Sequence, residues 1–398
     1  YYTDDAMYQI GLTQISINQG NQAISTLEEL LKKYPQSDYA PKAIANIALT
    51  NFNLNNLDAA LLNYERIMKQ YPKSPQANDA VMGIRDVYAA RGDAQGYINY
   101  MQQYPDFAIS TNAQDTLSYE IAESYYNKGD CTSAIKEFTD YLHLFQQGAF
   151  ALYAHFYRGQ CLYSRELHDQ ARTDYDYVIA QKGNPFMEQA LDKGGRIALY
   201  IDKNYAKAHG LFEQLLNQTT RKELVIEALR GLVRTSYFTQ NATDIKQYTQ
   251  QLITQPNATQ DDKLDAVYYP ALLDWEQKRY AEALPNLQKV ANQSVGPEGA
   301  KARYCIADIY LKQGKLEEAK NACMRVAKET PSHEYWVAKS YLTLADVYLA
   351  NKQIFQAKAT VESIIEGYEP TDNGILQAAK EKLKQIQTLE AQGSKLEE

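Results

Sequence analysis

YPQSDYAPKAIANIA, residues 34–48, closes one stretch of helical apolar period on a Tyr-Pro pair, offers Ser or Asp as a cap, and opens a second stretch rich in alanine. Residues 71–80, YPKSPQANDA, do nearly the same thing 37 residues later. A boundary that recurs in this way predicts an internal repeat, and the period of a repeat has to be settled before any motif is read. The alanine that follows a turn and precedes a second apolar face recurs at Ala23, Ala60, Ala134, Ala171, Ala208, Ala283, Ala319 and Ala357. Neighbours in this series lie about 37 residues apart, and two gaps are doubled, leaving room for divergent units near Gly96 and Asp244. The series therefore predicts about ten units.

Each unit reads as a helical hairpin. Residues 302–314, ARYCIADIYLKQG, place Ile306, Ala307 and Tyr310 on one helical face, and residues 316–331 answer with Leu316, Ala319, Cys323 and Val326. Small residues such as Ala307 and Ala319 are expected where two backbones approach closely. Gly20-Asn21, Gly92-Asp93 and Gly129-Asp130 read as a left-handed stop followed by a capping side chain. Ser74-Pro75 reads as a cap before a preorganised first helical position.

The combination resembles a tetratricopeptide-repeat protein. The family pattern of a small residue, a Tyr three later, an Ala in the second helix and a large apolar residue four further on is met by Ala122, Tyr125, Ala134 and Phe138. Ala307, Tyr310, Ala319, Cys323 and Pro331 meet it again, as do Ala345, Tyr348, Ala357 and Val361. The resemblance implies an all-α, right-handed α-α superhelical solenoid whose first helices line a concave surface. The usual period is about 34 residues. The longer units here and the Tyr-Pro-x-Ser boundaries resemble the bacterial envelope subclass, which includes outer-membrane assembly lipoproteins and cell-division coordinators. That implies a periplasmic or outer-membrane-associated chain, with a cytoplasmic one as the alternative.

The expected organisation is a continuous solenoid over 1–373, with an irregularity or bend at 238–264, then a capping helix and charged tail over 374–398. The net charge of −8 is spread along the chain, which speaks against the basic footprint a nucleic-acid partner demands. No run of about 18 apolar residues spans a membrane. His143, His155, His168, His209 and His333 fall in different repeats without metal-ligand spacing. No GxSxG, HExxH or P-loop pattern occurs, so neither a catalytic residue nor a cofactor is expected. Buried free thiols are the expectation for Cys305 and Cys323, with a disulfide between them as the alternative. Cys131 and Cys161 make the less persuasive pair.

An aromatic series runs through the repeats. Phe52, Tyr88, Tyr126, Tyr163, Tyr200, Tyr237 and Trp275 occupy nearly equivalent positions late in the first helices. Tyr119, Tyr153, Phe156, Tyr268 and Tyr304 come from the same helices and complete the predicted partner-binding groove, with Tyr8 as a further candidate and Arg85, Glu123, Gln160 and Asp308 as polar neighbours. Tyr outnumbers Phe by 33 to 10, as suits half-wet surfaces where a ring packs and its hydroxyl meets water. The function expected is a noncatalytic scaffold that holds a protein or extended peptide in an envelope complex. A carbohydrate-binding module and a spacer whose rings pack between repeats are the alternatives.

Overall fold

A computed structural model describes residues 3–328 and 331–394, with side chains described as far as 391. All regular structure among these residues is helical. The chain divides into two compact units, 1–186 and 187–398. The first holds five hairpins: α1 (Thr3–Ser16) with α2 (Gly20–Lys33), α3 (Ala40–Asn53) with α4 (Leu57–Gln70), α5 (Pro75–Arg91) with α6 (Ala94–Met101), α7 (Thr111–Asn127) with α8 (Cys131–Leu144), and α9 (Ala151–Ser164) with α10 (His168–Ala180). The second holds five more: α11 (Met187–Arg196) with α12 (Tyr205–Gln218), α13 (Lys222–Phe238) with α14 (Ala242–Ile253), α15 (Gln260–Glu276) with α16 (Tyr280–Gln293), α17 (Pro297–Lys312) with α18 (Leu316–Ala327), and α19 (Glu334–Ala350) with α20 (Ile354–Gly367). The last helix, α21 (Ile375–Ser394), covers α20 with Ile375, Ala379 and Ile386. Each unit is an α-solenoid of tetratricopeptide type; residues 395–398 of the expected tail lie outside the described residues.

All eight alanines of the sequence series are 0% exposed. Four residues after each comes a larger buried side chain, from Leu27 and Tyr64 to Cys323 and Val361, which fills the space the alanine leaves. In the two divergent units the slot is taken by Tyr97 and Ile245, at 3% each, so the hairpin survives a bulkier contact. The third hairpin adjusts by shortening: α6 has 8 residues and runs into a 3-10 turn at Pro105–Phe107. The 238–264 segment carries the end of α13, the whole of α14 and the first turns of α15.

One residue in every hairpin turn has left-handed backbone: Asn18, Asn55, Gly92, Gly129, Glu166, Lys203, Gln240, Lys278, Gly314 and Lys352. The chain reversal thus repeats more strictly than its composition, since only three of these ten are glycine. Gly20, expected as a stop, is instead the first residue of α2, and Asn18 makes the turn. Asp93 and Asp130 do cap, accepting from the Gly96 and Ser133 amides.

The opening Tyr-Pro-x-Ser boundary is a backbone turn more than a cap. The Ser37 amide donates to Tyr34 O and the Ser74 amide to Tyr71 O. The Ser74 hydroxyl also donates to Tyr71 O, at 2.8 Å, so Ser74 stands at the cap position of α5 without capping through its side chain. Helix α3 starts after Tyr39, and neither Ser37 nor Asp38 caps it.

Within each unit the first helices of successive hairpins also touch: α1 with α3, α3 with α5, α7 with α9, and α11 through α13, α15 and α17 to α19. Successive second helices do not pack to a like extent. The first helices therefore form the tighter, inner layer of each unit. The first helix of the sixth hairpin carries an irregularity: after Arg196 it continues as a π-helical turn over Ile197–Ile201. Tyr200, within this turn, is 49% exposed.

Of the cysteine readings, the less persuasive pair is the one that forms, and the free thiols stand as expected. Cys131 and Cys161 form a disulfide, with Cα atoms 5.2 Å apart. The bond joins the first residue of α8 to α9, so it ties two successive hairpins together. Cys305 and Cys323 are both buried free thiols. Burial pushes the Cys323 thiol up to about 12 and raises the Cys305 thiol as well.

Candidate partner-binding face

The twelve rings predicted to line a groove separate by burial. Tyr88, Tyr119, Phe156, Tyr237 and Tyr268 are at most 8% exposed. Their rings are largely used in packing: Phe156 stacks on Phe186 at 4.0 Å and Tyr119 on Phe150 at 4.5 Å. Phe52, Tyr126, Tyr163, Trp275 and Tyr304 are half-buried. Tyr153 and Tyr200 are exposed, at 38% and 49%. Of the polar neighbours, Glu123 accepts from the Tyr119 hydroxyl and Asp308 from the Trp275 indole. Arg85 and Gln160 are half-buried, as is Tyr8, which stacks on Tyr39 at 4.8 Å.

In the 187–398 unit these rings join a longer line that the aromatic series alone did not reveal. The Arg234 guanidinium lies 5.8 Å from the Tyr200 ring and 5.9 Å from the Tyr269 ring. Tyr269 meets Tyr237 at 5.5 Å, and Lys301 lies 5.6 Å from Tyr237 and 5.8 Å from Trp336. Trp336 meets Tyr304 at 5.5 Å, and Lys339 lies 5.9 Å from Tyr304 and 5.8 Å from Tyr335. Trp275 joins from the side, 6.2 Å from Tyr304. Three cations separated by pairs of touching rings thus make a continuous line across the first helices of five consecutive hairpins. Each such contact between a cation and a ring face is worth about 0.5–2 kcal/mol depending on exposure.

Electrostatics fix the line at one end. Burial works against the charge of Arg234, but Tyr269, Tyr200 and Asp265 around it hold its pKa above the ordinary value, and Asp265 pairs with it at 2.8 Å. Beside it Glu227 bridges Arg196 and Arg230, and Arg230 forks onto Asp262. Asp262 is 1% exposed and also completes a capping box with Thr259 at the start of α15. Burial disfavours its charge, but Arg230 and Thr259 outweigh this and hold its carboxyl below the usual range. These side chains line a cleft of about 410 Å³ on the inner layer. Burial raises the Tyr269 and Tyr304 phenols, so both remain neutral hydrogen-bonding groups.

In the 1–186 unit the inner layer carries a second ring cluster. Tyr153 sits edge-on to Tyr119 at 6.2 Å and to Phe186 at 5.2 Å, and Tyr126 meets Tyr157 at 4.5 Å. No cation lies on these ring faces among the described residues; elsewhere in this unit Lys42 lies over Tyr39, Arg91 over Tyr88 and Lys128 over Tyr125.

A hydroxyl, an imidazole and a carboxylate do line up at Thr235, His209 and Asp244. Thr235 is 0% exposed and its hydroxyl donates to the Gly231 and Leu232 carbonyls, so no substrate reaches it. His155 packs flat on Tyr177 and bonds the fully buried Asp174, which Arg158 also holds. Among the described residues no group of three or more His, Cys, Asp or Glu side chains is placed to hold a metal ion. Among them, too, no helix is long and apolar enough to cross a membrane.

The profile of the YfiO outer membrane lipoprotein family matches residues 2–95, and tetratricopeptide-repeat profiles match residues 119–185 and 274–340. No curated protein matches the sequence. Among solved structures, a tetratricopeptide repeat protein from Parabacteroides merdae is 16% identical, with 69% of this chain and 98% of that one covered at a TM-score of 0.45. The C-terminal part of a repeat-containing protein from Cytophaga hutchinsonii is 17% identical, with 65% and 98% covered at a TM-score of 0.42. The P58(IPK) tetratricopeptide domain is 15% identical, with 98% and 99% covered at 0.40. With ten hairpins, eight of them keyed by an alanine, one left-handed turn in each, and two matching repeat profiles, the chain is a tetratricopeptide-repeat protein.

Proposed function

We propose that the inner layer of the 187–398 unit holds an extended segment of a protein partner, and that the chain acts as a noncatalytic scaffold within a bacterial envelope complex. The observation that carries this reading is the continuous line of rings and cations from Tyr200 to Tyr335. Such a line offers flat apolar area with little side-chain entropy to lose, and it adds modest contacts over several repeats. An extended chain matches that geometry better than a compact ligand does. The location is supported by the lipoprotein profile over 2–95 and by the Cys131–Cys161 disulfide, a bond that persists in oxidising compartments.

The test is a peptide that binds the full chain, selected from a displayed random library and measured by fluorescence anisotropy. Tyr200→Ala, Tyr304→Ala and Trp336→Ala combined are expected to weaken it by about thirtyfold or more, the size of an aromatic hot spot. Circular dichroism checks that the variant stays helical. Tyr119→Ala with Tyr153→Ala, in the other unit, should leave affinity unchanged. The reverse pattern would move the partner face to the 1–186 unit.

A further inference from the structure

Three cations belong to the line, and they are not equivalent. Arg234 is committed to Asp265. Lys301 rests over Tyr237 and Trp336 and has only the Tyr237 hydroxyl, at 3.4 Å, as a polar contact. Lys339 rests over Tyr304 and Tyr335. Among the described residues neither ammonium has a carboxylate within ion-pairing distance. Of the carboxylates on the surrounding helices, Asp308 accepts from the Trp275 indole at 2.9 Å and Glu276 from the Tyr237 hydroxyl and Gln240, while Glu298, in the first turn of α17 and close to Tyr269, forms no ion pair with Lys301 among the described residues.

We infer that the segment held by this face is acidic, and that its side-chain carboxylates seat on Lys301 and Lys339. The inference rests on the reading of this face as a peptide-binding layer and goes further by fixing the chemistry of the peptide. The two lysines bracket the Tyr304–Trp336 ring pair, because each lies over one member of it. An apolar or aromatic partner side chain on those rings, flanked by an Asp or Glu on each side, satisfies both ammoniums at once. The rings keep water from one side of each cation, which strengthens a charge-assisted bond made on the other. The chain's net charge of −8 supplies no long-range attraction for such a segment, so the preference is local to these two contacts.

A displayed random library, selected in parallel on the full chain and on the Lys301→Gln, Lys339→Gln variant, tests this. Selection on the unmodified chain should enrich Asp and Glu beside an apolar residue, and selection on the variant should yield binders without that enrichment. Changing the two acidic residues of the best peptide to Gln, with both termini blocked, should cost about tenfold in affinity on the unmodified chain and nothing on the variant. Binders that depend on Trp336 but carry no acidic preference would overturn the inference and leave the peptide-binding reading standing. No binder that responds to Trp336→Ala would overturn both.

Discussion

Truncating Phe212 to alanine is expected to lower the stability of the chain by about 3–5 kcal/mol. Phe212, on α12, is 2% exposed, and its ring lies between two glycines. A Cβ on Gly195 of α11 would come within 2.9 Å of the ring, and one on Gly231 of α13 within 2.3 Å. The ring therefore fills space shared by its own hairpin and the next, and its loss leaves a cavity that two helices must close. Gly231→Ala makes the complementary error by overpacking, at about 1–3 kcal/mol. Because both changes act on one contact, the double variant Phe212→Leu, Gly231→Ala should cost less than the sum of its singles. Chemical denaturation with hydrogen exchange reads this: protection should fall first in α11 to α13, since a repeat protein loses structure locally. Additive costs would show that ring and glycine do not share the space.

Removing the Cys131–Cys161 bond is expected to cost about 3–4 kcal/mol, the entropy of a loop closed over a separation of 30 residues. The folded chain should show no reactive thiol, the unfolded unreduced chain two, and the unfolded reduced chain four, because Cys305 and Cys323 are fully buried and their thiols are held protonated. Reductant or Cys131→Ser should lower the melting temperature, and the Cys305→Ala variant should keep the same response to reductant. Four reactive thiols in the unfolded chain without reductant would contradict the pairing.

The fold was legible because the packing that matters is local and periodic. Alanines about 37 residues apart mark where two helices of one hairpin meet, and a small residue at a fixed step leaves a plain trace. The turns were less legible, since seven of the ten left-handed positions are occupied by Asn, Glu, Lys or Gln instead of Gly. Nothing in residues 197–201 announces a π-helical turn. The free, buried state of Cys305 and Cys323 was legible from their places on the apolar faces of one hairpin, whereas the Cys131–Cys161 bond was under-read because it joins residues of two successive hairpins.

The proposed partner face was half legible. Reading one aromatic position per repeat found Tyr200, Tyr237, Trp275 and, from a second position, Tyr304. It missed Arg234, Tyr269, Lys301, Tyr335, Trp336 and Lys339, because most of their contacts run from one first helix to another, with Lys339 over Tyr335 the contact made along one helix. The missed signal was there in pairs one repeat apart, such as Tyr200 with Arg234, Lys301 with Trp336 and Tyr304 with Lys339.

The chain's two tryptophans, Trp275 and Trp336, both sit on this face, so its own emission reports on it. The most direct measurement is the tryptophan emission of the full chain during titration with the tightest selected peptide. An extended segment lying along the line should shift or quench that emission, saturating at the dissociation constant found by anisotropy, with most of the change lost in Trp336→Phe. A peptide that binds with the same affinity and leaves the emission of both tryptophans unchanged would contradict the assignment of the partner face.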